Sequence, residues 1–151
     1  MTSCAFPLLV FIVILLDAVY FAWFICKPNW RHTTPESCKM YVEVAKGLIL
    51  SAGVVTAVLA GALESGSSIP HRFAGPTILF LAIAMAFSLF LIMVLTRATE
   101  AAIARAPHGN SGGILKWWEF TLEMVLGFVA LGAFLLGILY LGRIGVFLWM
   151  H

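Results

Sequence analysis

Apolar residues in this chain come in long unbroken runs, and polar residues come in short clusters between them. The first run reads Leu8, Leu9, Val10, Phe11, Ile12, Val13, Ile14, Leu15, Leu16, then resumes at Val19 and reaches Cys26. Runs of this length predict membrane-spanning helices. Four are expected, over 5–26, 43–63, 73–96 and 120–142. Pro7 and Pro76 fall near the starts of the first and third, where a missing N–H is tolerated. The uncharged core of the second, 47–63, gives about 26 Å of helix, short for a bilayer. It is extended backward through Tyr41, with Lys46 snorkelling to the headgroups.

The connections are short. The first loop covers 27–46 and the second 64–72. In the third, 97–106 is Ala-rich and predicts a helical extension of the third span. Residues 107–113, reading PHGNSGG, predict a flexible linker. Trp117 and Trp118 then fit an interfacial belt, and Lys46, Arg97 and Arg143 complete a set of interface anchors. The expected fold is an all-α integral membrane four-helix (tetraspan) bundle, one transmembrane domain over 1–151.

Composition agrees with that reading. Of 151 residues, 62% are hydrophobic and 11% charged, and the mean hydropathy is +1.04. Soluble domains carry about 25% charged residues, so this surface is too apolar for water. A net charge of +2 on scattered carriers does not suit nucleic-acid binding. The first span has no basic leader and no small-x-small cleavage site, so it is expected to be retained rather than removed as a signal peptide.

Basic residues set the expected orientation. Lys27, Arg31, Lys39 and Lys46 lie in the first loop, and Arg97, Arg105 and Lys116 in the third, against Arg72 and Arg143 opposite. The bias places loops 27–46 and 97–119 in the cytoplasm, with both termini outside. A bacterial inner membrane is the expected location. Cys26 and Cys38 could form a disulfide in an oxidising compartment; with this orientation they are expected to be free thiols.

Few polar residues lie inside the spans. Asp17 is the only charge in the first 26 residues. A carboxyl at that depth must be neutral, paired or turned toward protein. Tyr20 is its nearest local hydroxyl, three residues on. Asp17 reads either as a lock between helices or as a proton or cation site; no second titratable group at similar depth is available for a relay. In the second span, Gly53, Ala57 and Gly61 form a small-x3-small stripe that predicts close helix packing and makes this span the expected centre of the bundle. Gly127, Gly132, Gly137 and Gly142 recur every five residues in the fourth span and spiral round it, which suits close approach to several neighbours. Glu119 and Glu123 at its start complement the helix dipole and read as an interfacial anchor, with a cation-attracting mouth as the sharper alternative.

Catalytic chemistry is sparse. No G-x-S-x-G, P-loop or H-E-x-x-H occurs. His32, His71, His108 and His151 all lie outside the spans, so haem ligation within the bundle is not expected. Pro35 separates His32 from Glu36 and argues against a shared helical face. No metal or cofactor is expected beyond bound lipid. The functional expectation is a small non-enzymatic accessory or structural subunit of a larger membrane complex or oligomer, its partners being membrane proteins, copies of itself and lipid. The alternative is a homo-oligomeric ion channel or cation-coupled transporter that uses Asp17.

Overall fold

The computed structural model describes residues 10–12, 14–16, 18–19, 32–65, 69, 71–106 and 113–150. It is all-helical apart from one two-stranded ladder. The elements run β1 (His32–Thr33), α1 (Pro35–Glu64), α2 (His71–Ala104), β2 (Gly113–Ile114) and α3 (Trp117–Met150). The described residues between 10 and 19 are helical as well. Asp17, Tyr20 and Cys26 lie outside the described residues.

Three helices are long and apolar enough to cross a membrane. With 30, 34 and 34 residues, they span about 45–51 Å, well beyond a hydrocarbon core of about 30 Å. No more than 22% of the most apolar window of any of them is buried. Most of their apolar surface therefore faces outward, which is compatible with a membrane protein.

Each helix begins or continues where its residues require. Thr34 caps α1: its Oγ1 accepts from the Ser37 N–H at 3.1 Å, and Ser37 Oγ accepts from the Thr34 N–H at 2.9 Å. This reciprocal capping box and Pro35 in the first turn start α1 eight residues before the expected 43. α2 starts at His71, so Pro76 lies more than a turn inside it rather than at its first position. Pro76 has no N–H for the Arg72 carbonyl, while Thr77 Oγ1 donates to the Phe73 carbonyl at 2.8 Å. Beyond Arg97, α2 continues unbroken to Ala104. α3 does not stop at 142 but runs on to Met150.

The expected centre of the bundle is corrected. Among the three long helices, α2 packs along both α1 and α3, while those two touch only sparsely. The reason is a stripe of buried residues on α2 at steps of three, four or seven: Thr77, Leu81, Ala84, Ser88, Leu95, Ala98 and Ala102. α3 answers with Glu119, Glu123, Leu126, Ala130, Ala133, Gly137 and Ile144 at the same steps. Alternating steps of three and four mark helices packed nearly parallel or antiparallel. Small residues on both stripes let the backbones approach. α1 buries only Ala45, Ala52 and Leu59, seven residues apart.

The glycine and alanine positions divide accordingly. A Cβ on Gly53 would meet Met85 Sδ at 3.8 Å, an ordinary contact. Ala57 and Gly61 are exposed, so the seam of α1 runs along Ala45, Ala52 and Leu59 instead. A Cβ on Gly127 would make an ordinary contact with Leu91, Gly142 faces open space, and Gly137 is pressed against Leu81. Gly132 borders an apolar hollow of ≈ 250 Å³ shared by Ile14, Phe80 and Phe128.

The far end of the bundle is aromatic and basic. Phe73 meets Phe147 edge-on, 6.4 Å between ring centroids. The Arg72 and Arg143 guanidinium carbons lie 4.8 and 4.9 Å from the Phe73 ring centroid, within cation–π range.

Candidate functional site

The opposite end of the bundle gathers the polar groups. β1 and β2 pair antiparallel, His32 with Ile114 and Thr33 with Gly113. The ladder joins the first and third loops, so both lie at one end. Thr33 is buried, and its Oγ1 lies 3.1 Å from Thr99 Oγ1, tying β1 to α2. Gly113, expected in a flexible linker, is instead a buried strand residue. A Cβ there would overlap the carbonyl group of Ala102 and lie 2.8 Å from Ile103 N, so only glycine brings β2 this close to α2. Residues 107–112 lie outside the described residues. Beneath the ladder, Ala98, Ala102, Leu115 and Phe120 form a small apolar cluster.

Two acids enter this layer from α3. Glu119 is 4% exposed. Arg105 donates to it twice, Nη1 to Oε1 at 3.0 Å and Nη2 to Oε2 at 2.7 Å. This is the bidentate geometry that suits guanidinium and carboxylate. The Lys116 N–H adds a third bond at 2.8 Å, half of a capping box at the start of α3. The hydrogen bonds to Glu119 hold the Arg105 guanidinium above its ordinary pKa.

Glu123 is one turn further along. It is 7% exposed, and its Oε1 has no hydrogen-bond partner among the described residues. The expectation that these two acids form an interfacial anchor is corrected for this reason: both lie on the buried stripe of α3. Glu119 is neutralised there by an arginine from the end of α2. A cavity of ≈ 190 Å³ opens beside Glu123, walled by His32, Thr33, Tyr41, Leu115 and Phe120. The ladder thus carries His32 to the same hollow as Glu123. Glu36 is exposed in the first turn of α1 and takes no part in it.

The remaining expected positions are spread around the bundle. Trp117 and Trp118 are 54% and 62% exposed, flanking the buried Glu119 and Phe120. Arg97 and Trp118 border one apolar surface hollow. Lys46 bonds Glu43 at 2.8 Å on the exposed side of α1. Arg143 belongs to the Phe73 end. Cys38 is a free thiol whose Sγ lies 3.9 Å from the Leu95 carbonyl. Among the described residues, no group of three His, Cys, Asp or Glu stands close enough to hold a metal ion.

Compared with protein-family models, curated proteins and solved structures, the chain matches none. The arrangement must therefore be read on its own chemistry. It offers one neutralised ion pair, one unmatched buried acid, and a cavity that a donor group could enter.

Proposed function

We propose that this chain is an integral membrane protein, a four-helix bundle in which the 5–26 span joins α1, α2 and α3. Its role is that of a non-enzymatic accessory subunit in a larger membrane assembly or homo-oligomer. The bacterial inner membrane is the proposed location, with the β1–β2 end in the cytoplasm and both termini outside.

The observation that carries this reading is the outward face of α1. Leu50, Val54 and Val58 are 69%, 63% and 68% exposed. Gly47 and Gly61 bracket them on the same face, and an added Cβ at either would meet nothing within 4 Å. Bulky apolar residues between two glycines suit close approach of another helix's backbone. Lipid tails would cover the Leu and Val side chains equally well but need no notches. The polar machinery at the β1–β2 end is small by comparison, the Arg105–Glu119 pair and the acid of Glu123.

The test is to solubilise native membranes in mild detergent and measure the mass of the particle that contains this chain. A particle larger than one copy is expected. Gly47→Leu and Gly61→Leu fill the notches without touching the chain's own core, so each should release the subunit while its helix content stays unchanged. A monodisperse monomer from native membranes, with nothing co-purifying, would sink the proposal.

A further inference from the structure

Glu123 is the buried acid that the fold leaves unmatched. Arg105 is committed to Glu119 through both guanidinium nitrogens that reach it. The positive charges of Arg105 and Lys116 both act on Glu119, while among the described residues nothing donates to Glu123 Oε1. An acid in this position is costly unless something donates to it. The space in front of it is open. The ≈ 190 Å³ cavity beside Glu123 shares the walls Tyr41, Leu95, Glu123 and Met124 with a second hollow of ≈ 200 Å³. The second hollow runs between α1 and α3, where its walls are hydrocarbon, with Leu48 and Leu131 on opposite sides. Those two helices touch sparsely, and none of the described side chains fills the groove between them. Val44, on its lip, is 60% exposed.

A void that is acidic at one end and apolar along its length has a definite complement. We propose that Glu123 receives the ammonium group of an amphiphilic amine whose hydrocarbon chain lies in the groove between α1 and α3. An ammonium suits Glu123 better than a hydroxyl, since it both donates to the carboxylate and offsets its charge, whereas an alcohol only donates. Lengthwise apolar walls select an alkyl chain over a small polar amine. The amine comes either from an amino-headed membrane lipid or from a free lipophilic cation. The site does not depend on the chain having protein partners, so a monomeric particle would leave it standing.

The experiment uses the purified full-length chain in an uncharged maltoside detergent, with radiolabelled dodecylamine as the probe. Saturable binding at one site per chain is expected. Glu123→Gln should weaken it roughly tenfold to a hundredfold, the loss of one charged hydrogen-bond partner. Dodecanol, equal in length, should not compete. Val44→Trp should also weaken binding by obstructing the lip; Val44 is largely exposed, so the melting temperature should hold, and this variant decides the matter if Glu123→Gln fails to fold. Competition by phosphatidylethanolamine would identify a bilayer source, and competition by free alkylamines alone a soluble one; either supports the proposal. Non-saturable uptake, equal competition by dodecanol, or unchanged affinity in both variants would overturn it.

Discussion

Gly137 and Leu81 touch where α3 crosses α2, with no room for one more carbon. A Cβ on Gly137 would lie 2.7 Å from Leu81 Cδ2 and 2.9 Å from its Cγ. Leu81 is fully buried and has little freedom to retreat. Gly137→Ala should therefore destabilise the bundle by about 1–3 kcal/mol, the usual cost of overpacking. Thermal unfolding in detergent measures it. Combining Gly137→Ala with Leu81→Ala should cost less than the sum of the two single changes, because they share one volume. Gly142→Ala, facing open space, is the control and should cost nothing; if Gly137→Ala behaves the same way, this helix contact is not tight.

Gly113 meets a harder wall. Its neighbours are main-chain atoms of Ala102 and Ile103 rather than a side-chain tip. Gly113→Ala should detach β2 from the end of α2 and speed hydrogen exchange at the ladder amides. Gly61→Ala, with nothing within 4 Å, should leave those amides unchanged and raise stability by up to about 1 kcal/mol through helix propensity. Equal exchange rates in the two variants would contradict the close approach.

Removing Arg105 should do more harm than removing its ion pair altogether. Arg105→Ala leaves Glu119 buried with a charge and no bonded cation, whereas Arg105→Ala with Glu119→Gln leaves a neutral amide that still accepts from the Lys116 N–H. The melting temperature is expected to fall furthest in the single variant. Arg105→Lys should fall between, since an ammonium cannot reproduce two parallel bonds. A double variant as unstable as the single would show that packing, and not charge, holds this corner.

The ladder fixes which loops share a side. On a cysteine-free background, His32→Cys and Lys116→Cys should react alike with a membrane-impermeant thiol reagent in sealed vesicles. Arg72→Cys, at the Phe73 end, should react from the opposite side. On the proposed orientation, His32 and Lys116 should react only when the reagent has access to the cytoplasmic side. Matching reactivity at all three positions would rule out a membrane-spanning arrangement of α2.

Much of the scaffold is legible in the sequence because hydrophobic length is a strong signal. The runs at 47–63, 73–96 and 120–142 lie inside α1, α2 and α3, and the Ala-rich stretch after Arg97 lies largely within α2. The site is harder to read. Glu119 and Glu123 look like surface residues because acids at a helix start usually are. Their burial follows from the stripe they share with Ala130, Ala133 and Gly137, and that three-four spacing is present in the sequence. The partner of Glu119 cannot be read this way, since Arg105 reaches it across a loop. The small-residue motif Gly53, Ala57, Gly61 draws attention to α1, yet the stripe that α2 buries is richer in Ala, Ser and Thr. Gly113 suggests flexibility by its company in the chain; its need is for space, which composition alone does not distinguish.

The pairing of Thr33 with Gly113 and Thr99 also imposes an order of assembly. β1 is made early, but its ladder partner Ile114 leaves the ribosome 82 residues after His32. At about 5–20 residues per second that is a wait of roughly 4–16 s. The α1–α2 hairpin is complete before then and can settle on local contacts. The ladder can therefore close on the α1–α2 hairpin before α3 has been made, so β2 is anchored when α3 arrives to pack along α2.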